Sequence, residues 1–242
     1  MAMAVREPGI DGRRQLAPGD IAARAVRPAA AELGFWSAVV AAISSTAFML
    51  GAAFGIFGVL AHPWDAAAAL VPSILLAPSI VALFVSVHHS AALEKRVWSH
   101  AAVAFACVYA PLCTVAYVVE LSVVQPFMLR SQADQVTLLT LSQYGTQPNT
   151  VFSAFDGLGY TFLSLACLFA APIFGGNRLE RWIRWMLIGT GVLGVPTILT
   201  YFVNPAFLWV TTPWGITVPG FSVLLAIYFK RLSPSVQLEV AS

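Results

Sequence analysis

"LGFWSAVVAAISSTAFMLGAAFGIFGVL", Leu33 to Leu60, contains no charged residue, and its length decides the class of fold. A hydrocarbon core about 30 Å thick is crossed by roughly 20 residues of helix rising about 1.5 Å each. The run is long enough to cross, and it exceeds the apolar stretch of roughly 7 to 15 residues found in a cleavable signal segment. The polar stretch before it is therefore expected to stay attached.

Further apolar runs follow at about 66–87, 101–127, 150–174, 182–203 and 207–229, separated by short polar punctuation such as "AHPWD" at Ala61 to Asp65. With 59% hydrophobic residues, 10% charged residues and a mean hydropathy of +0.80, the chain is far more apolar than a soluble domain. The expected architecture is an all-α integral membrane protein, a six-transmembrane-helix bundle filling residues 31–231. Residues 1–30 read as a flexible cytoplasmic tail rich in Arg, Pro and Ala, and 232–242 as a cytoplasmic C-terminal tail. The connection 128–149 includes "ADQVTLLTLSQY", compatible with a short interfacial helix but too short to span.

Loop charges test the topology independently, because they played no part in delimiting the spans. Of the 13 Lys and Arg residues, all but Arg130 fall on one side of the six-span arrangement. That asymmetry predicts both termini in the cytoplasm of a multi-pass cell membrane protein, with a bacterial inner membrane as the expected setting. Trp36, Trp98, Trp182 and Trp185 would form the inner aromatic belt, and Trp64, Trp209 and Trp214 the outer one. Cys107, Cys113 and Cys167 lie in spans without a CxxC spacing and read as small buried residues.

Glu120 and Asp156 are the acids placed well inside spans, and no Lys or Arg shares the hydrocarbon with them. A charge near the bilayer centre costs at least about 2.5 to 3.5 kcal/mol, so each acid must face protein or water, or carry a proton. Consecutive antiparallel helices would bring the two to a similar depth in the outer half. Residues three, four, seven or eight apart share a helix face. Glu120 then shares a stripe with Tyr117 and Cys113, and Asp156 with Asn149, Ser153, Tyr160 and Ser164. Thr197, Thr200, Tyr201 and Asn204 add polar groups from the fifth span. The candidate proton or ligand site is accordingly Glu120, Asp156, Tyr117, Tyr160, Ser153, Asn149, Tyr201 and Asn204. Desolvation and a neighbouring like charge both favour the neutral form of a carboxyl, the property a proton carrier uses. The bland alternative is hydrogen-bonded glue between helices, worth about 0.6 to 2 kcal/mol per bond.

Gly51 and Gly55 form a GxxxG extended by Ala47 and Gly58. Such a stripe packs helices closely, either inside the bundle or against a second subunit, so a homo-oligomer is one expectation. His88, His89 and His100 flank a turn, but adjacent histidines on a helix diverge, and no metal or cofactor is expected.

Absent motifs narrow the function. The last span has no lysine for a retinal Schiff base, and the chain has no HExxH, GxSxG, GxxxxGK[ST], CxxC or aspartate-rich diphosphate motif. Sterol isomerases of the emopamil-binding type and membrane terpene cyclases place carboxylates in helical bundles, an analogy of size and chemistry without a shared motif. The leading expectation is a protein that binds or transports a small or amphipathic ligand, proton-coupled, through an outer-half polar pocket. The alternatives are a membrane-embedded acid/base enzyme (isomerase or cyclase) acting on a lipid-like substrate, and an accessory or sensor subunit. The expected partners are the bilayer and that lipid-like ligand, and nucleic acid is not among them.

Overall fold

The computed structural model describes residues 28–61, 63–126, 150–197, 199 and 213–232. These form α1 (Pro28–Ile56), α2 (Trp64–Ser90), α3 (Arg96–Val119), α4 (Val151–Ala170), α5 (Arg178–Gly194) and α6 (Trp214–Leu232), with no strand among the described residues. Five helical stretches are long and apolar enough to cross a membrane: Pro28–Ile56, Trp64–Ser90, Leu93–Val124, Val151–Ile173 and Trp214–Leu232. Between the fourth and fifth of these lies α5, with 17 residues and three arginines in its first two turns. The expected fifth span at 182–203 is thus described only in part, since 201–212 lie outside the described residues. Residues 1–27 and 233–242 of the two tails and the connection 128–149 also lie outside them, while 28–30 belong to α1 and Leu232 to α6.

The helices pack in a ring that follows chain order, each against the next, and α6 closes on α1. Paired contacts fix alternating directions. Gly51 meets Ala68 while Gly55 meets Asp65, and Gly34 meets Phe229 while Met49 meets Gly215. Residues such as Leu83, Tyr109, Leu163, Leu187 and Phe221 fill the interior. The outer surface is equally apolar, with Ile43, Leu75, Val115, Ile216 and Ile227 exposed. Helices that are hydrophobic all round suit a bilayer. Cys113 and Cys167 are buried, but Cys107 is exposed, because its face of α3 turns outward and apolar surroundings suit a thiol equally well.

Local chemistry sets the helix ends. Gly58 takes a left-handed φ of 67°, and Val59 N donates to Phe54 O at 2.8 Å while Gly58 N donates to Gly55 O at 3.0 Å. This Schellman pattern satisfies carbonyls at the end of α1 and uses the one residue type that accepts that φ freely. Thr150 caps α4 by accepting from Ser153 N at 3.1 Å. Asn177 caps α5 by accepting from Glu180 N at 3.1 Å, while the Glu180 carboxylate reaches back to Gly176 N at 2.8 Å.

Pro72 and Pro78 sit inside α2, which runs continuously through both. The larger departure from regular helix is in the third span, where α3 widens into a π-helical turn at Glu120–Val124. Pro126 follows after Gln125; its ring crowds the carbonyl four residues earlier, that of Ser122, and it lacks an N–H. Opening the turn relieves that clash.

Candidate functional site

Two polar groups lie in the half of the ring where α3 ends and α4 begins. The first joins α3 to α4. Tyr117 and Tyr160 are oriented by ordinary α-helical spacing, Tyr160 one turn beyond Asp156 on the same face. The Tyr117 hydroxyl donates to Asp156 Oδ1 at 2.7 Å and lies 2.7 Å from the Tyr160 hydroxyl. Since Tyr117 gives its proton to the carboxylate, it accepts from Tyr160, and the three form a directed chain. All three side chains are buried.

Aromatic packing holds the chain in place. Tyr160 lies edge-on to Trp214 of α6 at 4.6 Å between ring centroids, and its ring is 6.1 Å from that of Tyr109. Trp214 was expected in the outer belt; its indole instead turns inward, with Nε1 buried and lacking a hydrogen-bond partner among the described residues. The Tyr109 hydroxyl is likewise buried without a partner among the described residues. Gly159, placed against Cys113, lets α3 and α4 approach at this level.

The second group lies at the π turn. Glu120 Oε1 accepts from Gln125 Nε2 at 2.8 Å. Five residues apart, these side chains would diverge on an α-helix, but the π turn bonds Gln125 N to Glu120 O and stacks one above the other. Glu120 is fully buried and Gln125 is 4% exposed. Glu120 Oε2 and Gln125 Oε1 have no hydrogen-bond partner among the described residues. Glu120 also lines a cavity of about 40 Å³ between α3 and α4, together with Val115, Val119, Val151, Phe152 and Phe155.

The structure therefore joins Tyr117, Asp156 and Tyr160 in one network and pairs Glu120 with Gln125 in another. Ser153 bonds with the capping Thr150, at 2.9 Å between hydroxyls. Ser164 turns back to Tyr160 O at 2.7 Å, so its hydroxyl serves its own helix. Asn149, Thr200, Tyr201 and Asn204 lie outside the described residues. Sequence reasoning missed Gln125, Tyr109 and Trp214. Only for Gln125 was a signal present, the proline one residue later that disrupts α-helical spacing.

Gly51 of the GxxxG stripe packs on the α2 backbone, where a Cβ would meet Ala68 C at 2.5 Å. Gly55 is looser, with Asp65 Cβ 3.3 Å from the corresponding position. At the opposite end of the ring, His88 Nδ1 lies 2.7 Å from Ser99 Oγ, and the His88 and His100 rings are 4.1 Å apart. No group of three His, Cys, Asp or Glu among the described residues is arranged to hold a metal. There too, Lys95 Nζ donates to Ile173 O at 2.9 Å, tying the turn after α2 to the end of α4. No protein family, curated protein or solved structure matches this chain.

Proposed function

We propose that this chain is a six-span cell membrane protein with both termini cytoplasmic, set in a bacterial inner membrane. In this reading it binds or transports a small or amphipathic ligand, coupled to a proton, through the polar region of its outer half. The distribution of Lys and Arg supports the topology. One observation carries the functional reading: a carboxylate buried inside the helix ring, bonded to a tyrosine that is itself bonded to a second tyrosine. Ionisable groups inside membrane spans mark proton relays and substrate paths, and the tyrosine pair gives Asp156 a donor and a second hydroxyl in line behind it.

Infrared difference spectroscopy of the protein in lipid tests this. The expected result is a carboxyl band that titrates with pH and is lost in Asp156→Asn, with a shifted band in Tyr117→Phe. A spectrum identical in wild type and Asp156→Asn would sink the proton-coupled reading.

The same Tyr117 to Asp156 pair also suits a membrane-embedded acid/base enzyme, an isomerase or cyclase of lipid-like substrates, with tyrosine as proton donor and aspartate as acceptor. Product analysis of lipid extracts incubated with wild type and Asp156→Asn separates that reading from transport. An accessory role would rest on the small-residue stripe of α1, and Gly51 is already taken up by α2 of the same chain.

A further inference from the structure

We propose that the groove between α1 and α6 holds one acyl chain of an anionic phospholipid, with the lipid phosphate at Lys230. The site requires only that the bundle sit in a bilayer, and it stands apart from the proton-coupled reading above.

Gly34 meets Phe229 and Met49 meets Gly215, so the start of α1 lies beside the end of α6. Between these levels, Phe35, Val39 and Ile43 of α1 and Val223, Ile227 and Lys230 of α6 line a groove of about 280 Å³. One water-sized group needs about 10 to 15 Å³, so the groove has room for a chain. Its walls run from Phe35 to Ile43 and from Lys230 back to Val223, about 10 to 12 Å at 1.5 Å per residue. That is most of one leaflet of a hydrocarbon core about 30 Å thick, and far short of the whole. A spanning helix of a second subunit would outrun the groove by more than half its length, whereas an acyl chain lies within one leaflet.

The groove surface is apolar throughout, so Lys230 contributes its methylene stem and its ammonium lies beyond the mouth. Ile43, Val223 and Ile227 are exposed, which leaves the groove open along its flank to hydrocarbon. A two-chain lipid can thus enter sideways and leave its other chain in the bilayer.

Charge selects the head. Lys230 lies in the last turn of α6 and is exposed together with Arg231. Trp36, 58% exposed beside Phe35, stands at the same end, where an indole suits the headgroup level. A phosphate oxygen at that level accepts a charge-assisted bond from the Lys230 ammonium. Glu32 is the exposed acid at this end of α1, and it makes no ion pair with Lys230. Two cations against one acid favour a head of net negative charge over a zwitterionic one, whose own cation they would repel.

The test is native mass spectrometry of the full chain released from nanodiscs of phosphatidylglycerol and phosphatidylcholine in equal amounts. Retained phosphatidylglycerol is expected to exceed phosphatidylcholine by about fivefold, the size of one lysine's attraction near an anionic surface. Lys230→Gln should remove most of that preference. Ala42→Phe keeps every charge and fills the groove, and it should lower retention of phosphatidylglycerol by a similar factor. Arg178→Gln, exposed at the start of α5, should leave retention within about twofold. The comparison of the two lipids uses wild type alone, so it stands even where Ala42→Phe fails to fold.

Equal retention of the two lipids, or retention untouched by a folded Ala42→Phe chain, would overturn the proposal. A loss in Arg178→Gln equal to that in Lys230→Gln would do the same, because the lipid would then be following total charge. A dimer in place of bound lipid would give the groove to a second copy of the chain. Displacement of phosphatidylglycerol by added oleate would overturn the assignment to a phospholipid.

Discussion

The α1–α2 seam and the α3–α4 seam solve the same problem with opposite materials. Between α1 and α2, Gly51 lets backbone meet backbone at the level of Ala68. Between α3 and α4, bulky tyrosines and an aspartate occupy the gap and link the helices through hydroxyl and carboxylate. A bilayer offers no hydrophobic gain for helix pairing, so close packing and interhelical hydrogen bonds are the available sources of affinity. The first seam is tightest at Gly51, and the second carries a hydrogen-bonded chain of two hydroxyls and a carboxylate. Backbone contact and side-chain hydrogen bonding thus dominate different helix pairs.

Substitutions that break this division are expected to differ in size. Gly51→Leu should cost about 3 kcal/mol or more in an unfolding titration in mixed micelles, because the obstruction is the Ala68 backbone and not a side chain that can rotate. A loss below about 1 kcal/mol would mean that α1 and α2 separate easily. Gly159→Ala should cost about 1 to 3 kcal/mol by overpacking Cys113, and Cys113→Ala in the same chain should recover much of that loss. Purely additive effects would argue against contact.

Tyr117→Phe removes the donor to Asp156 and should cost about 1 kcal/mol, typical of a hydrogen bond between membrane helices. Its larger effect should be on the infrared carboxyl band. Gly55→Ala sharpens the comparison at the small end. With Asp65 Cβ 3.3 Å away at the site, a small adjustment accommodates the methyl group, and the change should stay within about 0.5 kcal/mol. A penalty as large as that at Gly51 would show that the tight seam extends further toward the end of α1.

The same contrast explains what was legible in the sequence. Uncharged runs reveal the long helices, since length and hydropathy suffice for that. Asp156 and Tyr160 could be grouped because α-helical spacing holds through α4, whereas the same spacing put Tyr117 with Glu120 and gave no sign of its bond across to Asp156. The partner of Glu120 could not be found that way: Gln125 reaches it only through a π turn, and a period of 3.6 places it elsewhere. Trp214 was read as an interfacial anchor because its position near the start of α6 suits a belt, yet packing against Tyr160 draws it inward. Ring order was also beyond reach, since hydropathy is blind to which helices touch.

That ring order bears on how the protein is made. The partner that covers Gly34 of α1 is Phe229, near the end of α6. A ribosome therefore delivers the first helix long before the residue that shields it, and one face of α1 must rest against lipid or the insertion machinery until synthesis is nearly finished. α1 also carries Ser37, Ser44 and Ser45, which are buried in the closed ring. Ser37 and Ser45 donate to carbonyls of their own helix, Leu33 and Ala41. Hydroxyls satisfied in this way need no neighbour, so α1 can stay in the membrane alone while it waits for the rest of the chain.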